Sequence, residues 1–81
     1  MTIKYYNITE RNADYPNVGV IAVENNDFPI QKIQDALMQH LDEYVGDIVV
    51  NVIDELTLQI NGKLDNGTEI VFDAEQTWLY F

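Results

Sequence analysis

The chain has 81 residues, the length of one small domain, and we treat residues 1–81 as such. It carries 14 acidic residues against four basic ones, a formal net charge of −10 at pH 7. This excludes direct binding to nucleic acid or to anionic membranes, because both need Lys and Arg to neutralise phosphates. The sequence has neither Cys nor Ser, so disulfides, thiolate metal sites and the two common nucleophiles are excluded. We expect a protein that is not an enzyme and has no cofactor.

Two strands are predicted in the N-terminal part. Residues 3–8 are rich in aromatic and β-branched side chains, which favour a strand. A polar loop follows over residues 9–17 and is closed by Pro16. Residues 18–24 are apolar on both faces, which is typical of a strand at the centre of a sheet.

A helix is predicted next, with Asp27 as its N-cap, Pro29 in its first turn and Gly46 as the left-handed residue that ends it. The apolar stripe at helical spacing consists of Ile30, Ile33, Leu37, Leu41 and Tyr44, widened by Met38 and Val45. The opposite, polar face consists of Gln31, Lys32, Asp35, Gln39, Asp42 and Glu43.

Residues 48–64 alternate between apolar and polar side chains, which predicts strands. Asp54 has the parity of the apolar positions, and a buried lone carboxylate is costly, so we expect a turn or bulge at Asp54–Glu55. Asp65-Asn66-Gly67 is a hairpin signal. A three-residue loop with Gly67 in the left-handed conformation pairs Leu64 with Thr68, Gly62 with Ile70 and Ile60 with Phe72. This register places the large apolar side chains on one face.

A second turn is predicted at residues 74–76, by the same logic of register, followed by a last strand over residues 77–81. It would pair Phe72 with Trp78 and Ile70 with Tyr80. The predicted fold is α+β, with one helix packed across one face of a twisted antiparallel sheet of five or six strands. The strand order depends on whether residues 18–24 or 48–53 lie at the centre.

The acidic residues are the first candidate for a function. We expect Asp35, Asp42 and Glu43 on the helix, with Asp65, Glu69 and Asp73 on the hairpin, to contact a basic protein partner. A nucleic-acid-binding effector is the partner such charge favours, because carboxylates can stand in for phosphates in a basic groove. The alternative is an acidic domain whose charge only aids solubility.

The outer face of the predicted C-terminal hairpin is the second candidate. There Val71 and Leu79 would pair and Phe81 would extend an exposed apolar patch bordered by acids. The patch would bind a partner or a second copy in a homodimer, unless the loop 9–17 covers it. Tyr5 and Tyr6 point to opposite faces of one strand, so we expect one in the core. The other, with Tyr15, is a candidate interface anchor.

The sequence gives little support for a metal-binding or catalytic site. His40 lies at the edge of the helix stripe, with Glu43 and Tyr44 at neighbouring helical positions, which favours a local hydrogen bond over a metal site. The adjacent acids Asp42-Glu43 and Asp54-Glu55 point apart, so neither is a catalytic pair. No phosphate-cradling or calcium-binding spacing is present in the sequence.

In size, acidity and lack of catalytic residues, the chain resembles the small phage-encoded inhibitors of host defence, such as anti-CRISPR and anti-restriction proteins, some of which mimic DNA. The resemblance covers these gross properties only, and no residues carry over from it. It implies a non-catalytic inhibitor. The rival interpretations are a structural or assembly protein that uses the apolar patch, an acidic housekeeping domain, and a small enzyme or ligand-binding domain. The first six residues lack a signal-peptide pattern, so we expect a cytoplasmic protein.

Overall fold

The computed structural model describes residues 3–25 and 27–77. Within them, the elements are β1 (Ile3–Glu10), β2 (Asn17–Glu24), α1 (Ile30–Leu41), β3 (Val45–Val52), β4 (Thr57–Leu64) and β5 (Glu69–Thr77). The strands form one antiparallel sheet in the order β2-β1-β5-β4-β3. The helix connects the two edge strands and packs on one face of the sheet, which confirms the predicted α+β fold.

The centre of the sheet is β5, which pairs with β1 on one side and β4 on the other. The prediction that residues 18–24 form a central strand is wrong, because β2 is an edge strand, as is β3. Ile21 and Val23 lie in the core, whereas Val20 on the other face is half exposed. The apolar run of residues 18–24 is therefore buried on one face only. The central position belongs to β5, which lies between β1 and β4.

The helix is shorter than predicted at both ends. Pro29 occupies the N-cap position and no side chain caps the helix by a hydrogen bond, so Asp27 is not the N-cap. Asp27 instead forms a β-bridge, in which its backbone N–H donates to the Glu24 carbonyl (2.8 Å). The helix ends at Asp42, which has left-handed dihedral angles of φ 56° and ψ 35°. Asp tolerates this conformation better than most residues with a side chain. Gly46, predicted to end the helix, lies in β3 instead.

The start of β3 contains a β-bulge, where the register with β4 shifts between Gly46 and Val49. Asp47 has φ 51° and is exposed, while Ile48 packs against the core. Val45, assigned by the sequence to the helix stripe, is fully buried in this strand.

Both turns that flank β4 match the sequence prediction. The Leu64 N–H donates to the Thr68 carbonyl (2.9 Å), and Gly67 is left-handed with φ 89°. Gly62 pairs with Ile70 and Ile60 with Phe72, which confirms the predicted three-residue loop. Residues 53–56 form the turn that was expected at Asp54–Glu55.

The turn predicted at residues 74–76 is wrong, because β5 continues through it to Thr77. Ala74 is fully buried and lies between Ile8 of β1 and Leu58 of β4. Phe72 pairs with Ile60 on one side, as predicted. On its other side it pairs with Glu10, in place of the predicted Trp78. Residues 78–81, which hold most of the predicted last strand, lie outside the described residues.

The core lies between α1 and the covered face of the sheet. Its buried residues are Tyr6, Ile8, Ile21, Val23, Ile33, Leu37, Val45, Leu58, Ile60, Phe72 and Ala74. The other face of the sheet, here called the open face, presents alternate residues such as Asn7, Gln59 and Asn61. Tyr6 is the core tyrosine that the alternation predicted, Tyr5 lies on the open face, and Tyr15 is exposed.

Candidate functional site

Three segments meet at one end of the sheet: the residues after α1, the start of β3 and the β4–β5 hairpin. Val45 pairs with Leu64, and Lys63 pairs with both Gly46 and Glu69. This arrangement gathers five carboxylates, which we call the acidic end: Asp42, Glu43, Asp47, Asp65 and Glu69. Local structure places each of them outside the core, in the helix C-cap, the bend that follows it, the bulge, the turn or an outward position of β5.

The carboxylates of the acidic end form no close ion pairs, and Lys63 is the one basic residue beside them among the described residues. All five side chains are exposed. Within residues 3–25 and 27–77, the Arg11–Asp73 ion pair and the His40–Glu10 hydrogen bond both lie outside the acidic end. Lys63, the basic residue of this region, makes no ion pair within 4.0 Å of a described carboxylate. The acidic end therefore offers free carboxylate oxygens to a cationic partner.

Tyr44 lies among these carboxylates and is 54 % exposed. Its ring covers Gly46 so closely that a Cβ built on Gly46 would lie 3.0 Å from Tyr44 Cε1. The absence of a side chain at Gly46 thus allows the Tyr44 ring to lie close to β3. Tyr44, which was predicted to lie on the helix stripe, lies instead between α1 and β3. The glycine two residues after it is the local signal that points to this contact.

The acidic end has two shallow depressions, one of which is lined by Tyr44. One, of about 290 Å³, is lined by Glu43, Tyr44, Leu64, Asp65 and Asn66. The other, of about 390 Å³, lies on the open face and is lined by Asp47, Val49, Asn61, Gly62, Lys63 and Glu69. Each combines carboxylates with apolar or aromatic wall, which is a surface that can accept the stem and the charge of a Lys or Arg side chain.

Asp35 and Asp73, two of the predicted binding acids, are not part of the acidic end. Asp35 is exposed on α1, where it accepts a hydrogen bond from Gln31 Nε2 (2.9 Å). It lies seven residues before Asp42, roughly 10 Å along the helix axis. Asp73 lies on the open face and accepts hydrogen bonds from Arg11 Nε (3.1 Å) and Nη2. These bonds, and then the charge of Asp73, raise the pKa of Arg11, so the negative charge of Asp73 is compensated.

The structure brings together Asp42, Glu43, Asp65 and Glu69 of the predicted partner-binding residues. It adds Asp47, which lies in the bulge of β3. No local sequence motif predicts that bulge. Leu79 and Phe81 lie outside the described residues. Val71, their predicted companion, is half-buried, and its carbonyl accepts the Arg11 N–H (3.2 Å).

His40 has a different partner from the one expected. Its Nε2 lies 3.0 Å from Glu10 Oε1, across the gap between α1 and β1, with both side chains largely covered. The predicted local bond to Glu43 or Tyr44 is wrong, because α1 ends at Leu41 and both residues lie beyond it. His40 fixes the last turn of the helix to the sheet.

Neither a metal centre nor a membrane-spanning helix is found in the part of the chain that the structure describes. There, no group of three or more His, Asp or Glu residues is arranged to hold a metal ion. Among the same residues, α1 is the one helix, and its twelve residues are too few to cross a bilayer.

The chain has no match among protein-family models, curated proteins or solved structures. Its surface therefore provides the basis for a functional proposal. The acidic end, with its five exposed carboxylates, is the feature of the described surface that we consider for this purpose.

Proposed function

We propose that the protein is a non-catalytic binding protein that occupies a basic, nucleic-acid-binding surface of a partner protein through its acidic end. One observation supports this proposal: five exposed carboxylates without ion pairs lie at one end of the sheet, together with an exposed tyrosine whose ring lies against Gly46. Carboxylates accept charge-assisted hydrogen bonds from Lys and Arg, as nucleic-acid phosphates do.

The energetics of so much charge support a binding role. Like charges held together without counter-charges destabilise the folded state. A partner lined with Lys and Arg would relieve this repulsion and would gain speed of association from the long-range field. Tyr44 would add an aromatic anchor, since a cation over a tyrosine ring contributes about 0.5–2 kcal/mol. Tyrosines are also frequent at the energetic centres of interfaces.

The finer form of the proposal is an inhibitor of the phage anti-defence type that acts in the cytoplasm. Small size, strong acidity and a sequence without the common nucleophiles support it. The target would be a nucleic-acid-binding effector whose DNA or RNA groove is blocked by the acidic end. Such an inhibitor would compete with nucleic acid and would lose affinity at high salt.

The proposal is tested by affinity capture from a nuclease-treated host lysate, with washes at low and high salt and identification by mass spectrometry. A captured nucleic-acid-binding protein should be released by salt and displaced by added DNA or RNA. A variant with Glu43→Lys, Asp47→Lys and Asp65→Lys should lose it.

A matched control reverses the same charge elsewhere, with Asp14→Lys, Glu24→Lys and Glu75→Lys, and should retain capture. A separate Asp35→Lys variant tests whether the exposed side of α1 takes part. Far-UV circular dichroism verifies that each variant is folded. Equal capture by both triple variants would contradict the assignment to the acidic end. Capture that resists both salt and nucleic acid would contradict charge mimicry.

A further inference from the structure

The end of the sheet opposite the acidic end exposes aliphatic side chains. There β3 turns into β4, and we call Val52, Ile53 and Leu56 the apolar tip. They are 63 %, 57 % and 57 % exposed, respectively. The eight residues of β3 separate the two ends by about 23 Å at the usual rise of a strand, in a molecule whose longest extent is 39 Å. The tip is therefore a surface separate from the acidic end.

The turn that presents the tip is closed by hydrogen bonds. The Ile53 and Asp54 N–H groups both donate to the Thr57 carbonyl, at 3.0 and 3.2 Å. The Leu56 N–H donates to Asp54 Oδ1 (2.8 Å), and the Leu56 carbonyl accepts the Gln76 N–H (2.8 Å). The backbone is thus fixed before any partner arrives, and a preorganised surface loses little entropy on binding.

The tip has an acidic border. Asp54 and Glu55 are exposed in the same turn, and with Leu56 and Thr57 they line a groove of about 350 Å³. Residues 48–62 contain no Lys or Arg, so no basic residue of this segment offsets the two acids. A second copy of the chain would bring its own Asp54 and Glu55 against this border, at a net charge of −10 per molecule, which disfavours self-association.

We propose that the apolar tip binds a protein partner whose surface presents an aliphatic patch edged by Lys or Arg. Leu56 packs against the methylene stem of the basic side chain, while Asp54 and Glu55 pair with its charge. Val52 and Ile53 contact the aliphatic patch itself. The apolar contact supplies the driving force, and the acidic border selects the charge of the partner. This contact is independent of the acidic end, and either surface can bind without the other.

The test uses synthetic peptides and amide NMR spectra of the full-length ¹⁵N-labelled protein. The first peptide has an alternating Leu and Val core with two Lys at each end. The second has Glu in place of Lys, and the third keeps the Lys but has a Ser core. Titration of the amide shifts at residues 52–57 gives an apparent Kd for each peptide. We expect the Kd of the first peptide to be at least tenfold lower than that of either other peptide. Equal binding of the first two peptides, or no shifts in this segment, would overturn the proposal.

The NMR design keeps the two surfaces distinguishable. The Lys-ended Ser peptide should shift residues 42–47 and 63–69 alone, because it has charge for the acidic end but no aliphatic patch for the tip. Failure at residues 52–57 with shifts at the acidic end refutes the tip and leaves the proposed function standing. The reverse pattern supports the tip and counts against the acidic end.

Variants check that the aliphatic side chains of the tip are responsible for binding the first peptide. Ile53→Thr with Leu56→Thr should weaken binding of the first peptide at least tenfold. The matched control, Ile3→Thr with Val20→Thr, removes two exposed aliphatic side chains from β1 and β2, away from both proposed surfaces, and should leave this binding unchanged. Two other occupants would overturn the proposal. Concentration-dependent broadening at residues 52–57 would indicate a second copy. A tenfold gain in peptide affinity on deletion of residues 78–81 would indicate that the chain itself competes for the tip.

Discussion

Val45 packs over Gly62 so closely that a Cβ built on Gly62 would lie 2.6 Å from Val45 Cγ1. The bulge in β3 brings about this contact, because two residues of β3 stand opposite Gly62 and the strand bends over it. Val45 is fully buried as a result. Asp47 of the same bulge is exposed, so the position of one carboxylate of the acidic end is linked to the absence of a side chain at Gly62 in the next strand.

Gly62→Ala should destabilise the protein by about 1–3 kcal/mol, because the added methyl group overlaps Val45 and the neighbouring strands must separate. Urea unfolding measures the loss. The double variant Gly62→Ala with Val45→Ala should be less destabilised than the sum of the two single variants, since the clash is removed. Strict additivity would show that the two residues do not compete for the same space.

Asp42→Gly should stabilise the protein by roughly 0.5–1 kcal/mol. Glycine adopts the left-handed C-cap conformation without steric cost, and the change removes a negative charge from the negative end of the helix dipole. Asp42→Asn, which removes the charge alone, should give a smaller gain, and Asp42→Ala should be less stable than Asp42→Gly. Thermal and urea unfolding distinguish these ranks, and a loss of stability in Asp42→Gly would contradict the proposed strain.

Salt should stabilise the protein, because it screens the repulsion among the five carboxylates of the acidic end. The urea midpoint is expected to rise between 20 mM and 500 mM NaCl. A variant with Asp47→Asn, Asp65→Asn and Glu69→Gln should gain roughly 0.5 kcal/mol at low salt and should respond less to added salt. Neutralising Asp14, Glu24 and Glu75 in the same way serves as the control and should have a weaker effect. The same gain in both variants would mean that net charge, and not its location, matters.

The contact between His40 and Glu10 should couple the helix to the sheet by about 0.5–1 kcal/mol. A double-mutant cycle with His40→Ala and Glu10→Ala at pH 6 measures this energy. The exposed pair Gln31–Asp35 on α1 provides a comparison, with an expected coupling of about 0.2–0.5 kcal/mol. A coupling for His40–Glu10 no larger than for that pair would show that burial adds nothing.

The parts of the fold that the sequence predicted are those fixed by local chemistry. The three-residue loop after Leu64 follows from Asn66-Gly67 and from the register that keeps Ile60 and Phe72 on one face. The turn at Asp54 follows from a carboxylate at a core parity. Both signals lie within a few residues of the structure they specify.

The predictions that were wrong concern parts of the fold that depend on residues distant in sequence. Ala74 is buried because Ile8 of β1 pairs with it, and nothing near residue 74 reveals that strand. The edge position of β2 has the same origin. The helix end was misplaced for another reason: Gly46 is the better left-handed residue by propensity, yet Asp42 ends the helix because Val45 must enter the core as part of β3.

For the candidate site, composition predicted the acidic character and four of the five residues at the acidic end. It gave equal weight to Asp73, whose charge is compensated by Arg11 across 62 positions of sequence. Tyr44 was missed because its helical spacing continues the apolar stripe beyond the true end of α1. Whether a carboxylate is free or paired is a tertiary property, and it decides which acids a partner can use.

The pairing of β1 with β5 determines the order in which the parts of the sheet can form during folding. Tyr5 pairs with Thr77 and Glu10 with Phe72, so the middle of the sheet joins segments separated by more than 60 residues. The β1–β2 hairpin and the β3–β4–β5 meander are each local and can form early, but they join through this one ladder. Closing so long a loop is slow, and folding should take milliseconds to seconds. A ribosome must therefore release β5 before the first strand finds its central neighbour. Until then, the backbone N–H and C=O groups on one edge of β1 are unpaired and open to other chains.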